Sequence, residues 1–217
     1  MRTLIIVLLL ACCSFCSSPN TDSMYSTIIE DVKKNDLKAV EAALKRGADV
    51  NTTDGSKRSL LLWATHAANL RMARLLVAHR ADVNRQDAIL DSPFLYAGAT
   101  GQTELLKLFL QHGARFDVFN RYNGSALIPA CERGHVETVR LLATTSGFPI
   151  DHVNRLGWTG LLEAVILGDG TEKYQQIVRI LKDAGCNIHI ADKNGVTSLQ
   201  HAKSLGYKEI VRILESE

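Results

Sequence analysis

Gly47-Ala48-Asp49-Val50-Asn51 is answered by Arg80-Ala81-Asp82-Val83-Asn84 and then by Gly113-Ala114-Arg115-Phe116-Asp117, so that Asn51, Asn84 and Asp117 stand 33 residues apart each time. A period of that length marks an array of stacked units, each too thin to bury its own apolar face, whose core exists only where neighbours meet. Function is therefore to be sought on a surface.

Working outward from the phrase, the rest of each unit repeats in step. An acidic or amide residue follows (Asp54, Asp87, Asn120, Asn154, Asp192), and five residues later a hydroxyl residue (Ser59, Ser92, Ser125, Thr159, Thr197). Ser or Thr at a helix start accepts a hydrogen bond from an unpaired first-turn amide, so these residues read as caps and not as nucleophiles. Five residues on comes an alanine column, Ala64, Ala97, Ala130, Ala164 and Ala202, which suits close approach between helices.

The pattern resembles the ankyrin repeat. The family's helix start, T-P-L-H-x-A-A-x-x-G-H, returns as Ser92-Pro93-Phe94-Leu95-Tyr96-Ala97-Gly98-Ala99-Thr100-Gly101-Gln102, as Ser125 through His135, and as Thr197-Ser198-Leu199-Gln200-His201-Ala202. Its second-helix V-x-L-L returns as Val139-Arg140-Leu141-Leu142 and Val178-Arg179-Ile180-Leu181. The resemblance implies an all-α repeat solenoid, each unit a short β-hairpin plus two antiparallel helices, with a concave face. It gives about five repeats after an N-terminal half-unit from Met24 to Asn51 that acts as a cap. Residues 21–217 form the repeat domain.

Two spacings depart from the period: Asp117 to Asp151 is 34 and Asp151 to His189 is 38. The second insertion, around Gly168-Asp169-Gly170-Thr171-Glu172-Lys173, is expected between the two helices of the fourth repeat. It reads either as drift in a tolerant loop or as a bulge that meets a partner.

The first 20 residues are different material. Met1-Arg2-Thr3 precedes an apolar run from Leu4 to Ala11, and a Cys- and Ser-rich tail follows, the pattern of a secretory signal peptide. The run is too short for a membrane span, which needs about 20 residues. Leu9-Leu10-Ala11-Cys12 also resembles a lipobox, so a lipid anchor at Cys12 is the alternative to cleavage before Thr21. The mature chain is expected in the periplasm or secreted, as a monomer. Cys131 and Cys186 would remain, at different places in successive units and so unsuited to a disulfide.

The charge, +2 from 25 basic and 23 acidic residues, gives no long-range field for nucleic acid. No phosphate-binding loop, dinucleotide fingerprint or zinc-spaced cluster occurs, so no cofactor, metal or catalytic residues are assigned. His79, His112 and His135 hold repeat positions; His152, His189 and His201 lie in later units.

Recognition remains. In ankyrin repeats, hairpin tips and the groove-lining end of the first helix bind proteins. Here the tips carry Lys57, Arg58, Arg85, Arg121, Arg155 and Lys193, and the last three, directly after Asn120, Asn154 and Asp192, make a basic row that is either a solvated face or a contact for an acidic partner. Trp158, beside Ile166 and Leu167, is either an interface anchor or a lid folded over Ile166. Phe119 and Tyr122 are further contact candidates, whereas Trp63 and Tyr96 read as packing. Similar exported bacterial ankyrins shield cells from periplasmic cell-wall peptidases, and others support periplasmic catalase. By that analogy the chain is a non-enzymatic binder, inhibiting an envelope peptidase or supporting a catalase.

Overall fold

Among the described residues twelve helices, all of them short, follow from the repeated capping and alanine positions. The computed structural model describes residues 21–216, and the stretch expected to be a signal peptide, with Cys12, lies outside them. The helices pair as α1 (Thr21–Lys33) with α2 (Leu37–Lys45), α3 (Leu60–His66) with α4 (Leu70–Ala78), α5 (Pro93–Ala99) with α6 (Thr103–Gln111), α7 (Leu127–Glu132) with α8 (Val136–Ala143), α9 (Gly160–Ile166) with α10 (Glu172–Asp183), and α11 (Ser198–Ser204) with α12 (Lys208–Glu215). First helices pack on first helices and second on second along the chain, giving two layers with one continuous core between them. Among the described residues no helix is long and apolar enough to cross a membrane.

The alanine column sits where those layers meet. Ala64, Ala97, Ala130, Ala164 and Ala202 are all buried. Gly98, beside Ala97, shows how tight the fit is: a Cβ there would lie 2.7 Å from the Ala126 Cβ.

Four of the five expected caps form. Ser59, Ser92, Thr159 and Thr197 accept from the N–H groups of Leu62, Leu95, Leu162 and Gln200. Ser125 does not: α7 starts one residue later, behind Ala126, and the Ser125 Oγ is buried without a hydrogen-bond partner. Pro129 is the cause. In the other repeats the residue at its position donates its N–H to the carbonyl of the capping residue, as Trp63 does to Ser59 and Tyr96 to Ser92. Proline has no N–H, and its ring crowds that carbonyl.

The N-terminal unit is a helix pair without the turn that opens every later unit, with Ile28, Ile29 and Val32 of α1 buried. One further expectation is corrected: the insertion of repeat four does not all lie between its helices. Ala164 to Gly170 is six residues against four from Ala97 to Gly101, so two of the five extra residues sit in the turn and three lengthen α10, which has 12 residues against nine in α6. Neighbours hold the turn in place: Tyr207 Oη donates to the Gly168 carbonyl at 2.9 Å, and Tyr174 Oη from α10 donates to the Glu132 carbonyl at 2.8 Å.

Candidate protein-binding groove

The turns that open the repeats are built by side chains more than by β-ladders. Only two isolated bridges, Thr53 with Ser59 and Ala191 with Thr197, remain of the expected hairpins among the described residues. Instead Asp54, Asp87, Asn120, Asn154 and Asp192 each turn Oδ1 back to accept the backbone N–H groups two and four residues ahead, at 2.8–3.0 Å. Asp and Asn are the residues suited to such local bonds. This fixes the turn residues. The fourth is left-handed in every repeat, with φ between 57° and 88° at Lys57, Leu90, Asn123, Gly157 and Gly195. Asn123 fills the glycine position, as the sequence indicates.

The third turn residue points the array's surface chemistry. It is Ser56 and Asn194 in the outer repeats but Ile89, Tyr122 and Leu156 in the three central ones, exposed by 54%, 54% and 50%. Large apolar side chains on a monomer surface normally scatter singly; here they recur at one position in three successive units.

Beside this row runs a second column, the residue just before each alanine: Trp63, Tyr96, Pro129, Glu163 and His201. Three of these reach back nine residues to the turn residue of their own repeat. Trp63 Nε1 donates to Asp54 Oδ2 at 3.2 Å, and His201 Nε2 lies 2.9 Å from Asp192 Oδ2. In repeat four the polarity is reversed, and Asn154 Nδ2 donates to the Glu163 carboxylate at 2.8 Å.

A groove of about 330 Å³ opens between repeats three and four, lined by Tyr122, Pro129, Glu132, Leu156, Glu163 and Leu167 among others. It continues through Tyr122 and Glu132 into a second of about 230 Å³ between repeats two and three, with Asp91, Tyr96, Arg121 and Arg133 on its walls. Leu167 is 47% exposed at its rim. Glu163 is 5% exposed, and burial followed by the charge of Glu132 pushes its pKa up to about 7, against the opposing bond from Asn154 and the charge of Arg133. Burial also raises Asp91, which Arg121 partly offsets from 3.8 Å.

Of the candidates read from sequence, Tyr122, Leu167 and Arg121 line the groove. Trp158 and Ile166 are both half-buried and are not among its lining side chains. Phe119 stacks flat on His152, centroids 4.1 Å apart, and its carbonyl accepts from Gln86. The basic row has internal work: Arg155 donates to the Arg121 carbonyl at 2.9 Å and Lys193 to the Arg155 carbonyl at 2.6 Å, each tying its tip to the one before. Arg121 lies over the Tyr122 ring, 5.0 Å from its centroid. Arg85 is exposed. Trp63 packs against the core, with Arg58 over its ring at 4.1 Å, but Tyr96 lines the groove in addition to any packing role.

Ile89, Leu156 and Glu163 were missed by the sequence reading. The signal was available in the register: Ile89 and Leu156 align with Tyr122, and Glu163 is the one acid in its column. Cys131 and Cys186 are both free, and burial raises both thiols, Cys186 to about 12. Neither is a reactive thiolate.

Comparison with known proteins gives the same architecture. A family profile for ankyrin repeats matches three times, over residues 26–120, 94–192 and 127–217. The ankyrin repeat protein YahD of Escherichia coli K12 is 33% identical over 182 residues, covering 84% of this chain and 90% of that protein. An ankyrin repeat domain from Acinetobacter baumannii AYE superposes with a TM-score of 0.84 at 47% identity, over 87% of this chain and 95% of that one. A second solved ankyrin repeat protein gives a TM-score of 0.85 at 38% identity, over 88% and 96%. With turns and alanine column in register along all five repeats and the cap formed in four of them, the chain belongs to the ankyrin repeat family.

Proposed function

We propose that this ankyrin repeat protein is a non-enzymatic binder that works outside the cytoplasm, docking on another protein of the cell envelope and occluding it. The target class we favour is a cell-wall peptidase, with self-protection as the purpose. The row of Ile89, Tyr122 and Leu156 beside the groove carries the reading. Exposed apolar side chains at one repeat position are costly in water and useful only when covered, and aromatic anchors dominate such interfaces. Export rests on the sequence of the first 20 residues, and the peptidase on analogy with similar exported ankyrins.

The test compares two double variants of the chain from Thr21 onward. Tyr122→Ser with Leu156→Ser removes the groove row, and Trp158→Ala with Ile166→Ser removes the patch expected from sequence. Each is immobilised and exposed to an envelope extract of the source organism. The groove pair should lose the partner by a hundredfold or more in affinity, and the unaltered protein should stop the captured peptidase at one-to-one stoichiometry. Capture of a catalase whose turnover is untouched would turn the reading to an accessory role. Retention by the groove pair together with loss by the Trp158 pair would move the interface to the other patch.

A further inference from the structure

We propose that the groove between repeats three and four takes the cationic side chain of a lysine or arginine in an extended segment of the partner protein, with Glu163 and Glu132 as its counter-ions. The inference rests on the groove being the binding surface.

The charges of the groove make the case. Its two halves are not equivalent. Between repeats two and three Asp91 is already answered by Arg121 at 3.8 Å, Arg133 is anchored by a 2.6 Å bond to the Ala99 carbonyl, and Glu132 stands at the junction shared with the other half. Between repeats three and four the wall carries Glu132 and Glu163, and neither has an ion-pair partner within 4.0 Å among the described residues. Glu163 accepts one bond, from an uncharged amide. Two unpaired carboxylates beside one another, one of them almost fully buried, are unfavourable in the empty array and become favourable when a cation enters.

The surroundings select what kind of cation. At about 330 Å³ the groove is at the lower end of ligand-pocket sizes, which run from ~300 to 1,000 Å³. It suits a side chain better than a cofactor. The rim is apolar, with Tyr122, Leu156 and Leu167 exposed around the acids. A lysine or arginine stem lies well along such a rim while its head reaches the carboxylates, and the aliphatic neighbours of that residue cover Tyr122 and Leu156. A bare metal ion would find only these two carboxylates, and no group of three metal-ligating side chains occurs among the described residues.

A displayed library of random nine-residue peptides, selected on the chain from Thr21 onward and on its variants, tests this. Selection on the unaltered protein should enrich one lysine or arginine flanked by aliphatic residues, and Glu163→Gln, which keeps the acceptor for Asn154, should abolish that enrichment. In a selected peptide, exchanging the lysine for norleucine should weaken binding tenfold or more to the unaltered protein and hardly at all to Glu163→Gln, with Glu132→Gln intermediate. Peptides that bind, lose affinity in the Tyr122→Ser, Leu156→Ser variant, and show no basic preference would overturn the inference and leave the groove as the binding surface. If no peptide were retained better by the unaltered protein than by that double variant, both readings would fall.

Discussion

At the scale of the residue, Glu163 is the outlier. Its column otherwise holds Trp63, Tyr96, Pro129 and His201, and Glu163, facing another acid, is its one member with an ionisable acid to hold against burial. The unfolded chain's glutamate gives up its proton near 4.5 and the folded one at about 7. Between those values the native state holds a proton that the unfolded state has lost, so stability falls as pH rises through this window and the penalty is complete above it. Glu163→Gln should therefore raise the unfolding free energy at pH 8 by on the order of 1–3 kcal/mol and change it little at pH 4.5. Urea titrations at the two pH values check this; equal effects at both would mean that the carboxylate is not carried as a buried charge. A residue that destabilises the empty array is consistent with the binding role proposed for the groove.

At the scale of the element, the helix starts show how far local sequence rules reach. Ser92→Ala removes a formed cap and should cost about 1 kcal/mol, whereas Ser125→Ala removes an oxygen that has no partner and should be neutral or stabilising. Thermal melts of the pair check the contrast, and an equal loss in both would restore Ser125 as a cap. The five-residue spacing from turn to cap was legible because both ends of each helix start are local. Ser125 failed because Pro129, four residues further on, acts through a missing N–H, a consequence visible only when hydrogen bonds are traced. The insertion was misplaced for a related reason: spacing counts extra residues without saying whether they extend a loop or a helix. The groove was half legible. Tyr122 and Leu167 stood out by residue type, but Leu156, Ile89 and Glu163 matter only by register, and the tip-to-tip bonds of Arg155 and Lys193 are invisible to residue type.

At the scale of the whole molecule, each unit touches only its neighbours, so stability is a sum over units and interfaces and the ends have half the interfaces of the middle. Amide exchange in the native state should be slowest in α5 through α9 and fastest in α1, α2, α11 and α12, with α10 held close to the central rate by the tyrosine bonds around its turn. Uniform protection from end to end would mean that the array opens all at once. The bonds from Arg155 to the Arg121 carbonyl and from Lys193 to the Arg155 carbonyl have an effect beyond stability. They fix the pitch at which the array presents its tips. Packed helices stand ~8–10 Å apart, and an extended chain advances ~3.3 Å per residue. A partner strand lying along the tips is thus read in triplets, every third side chain meeting the next repeat, and loss of one residue between two anchors would throw the second out of phase.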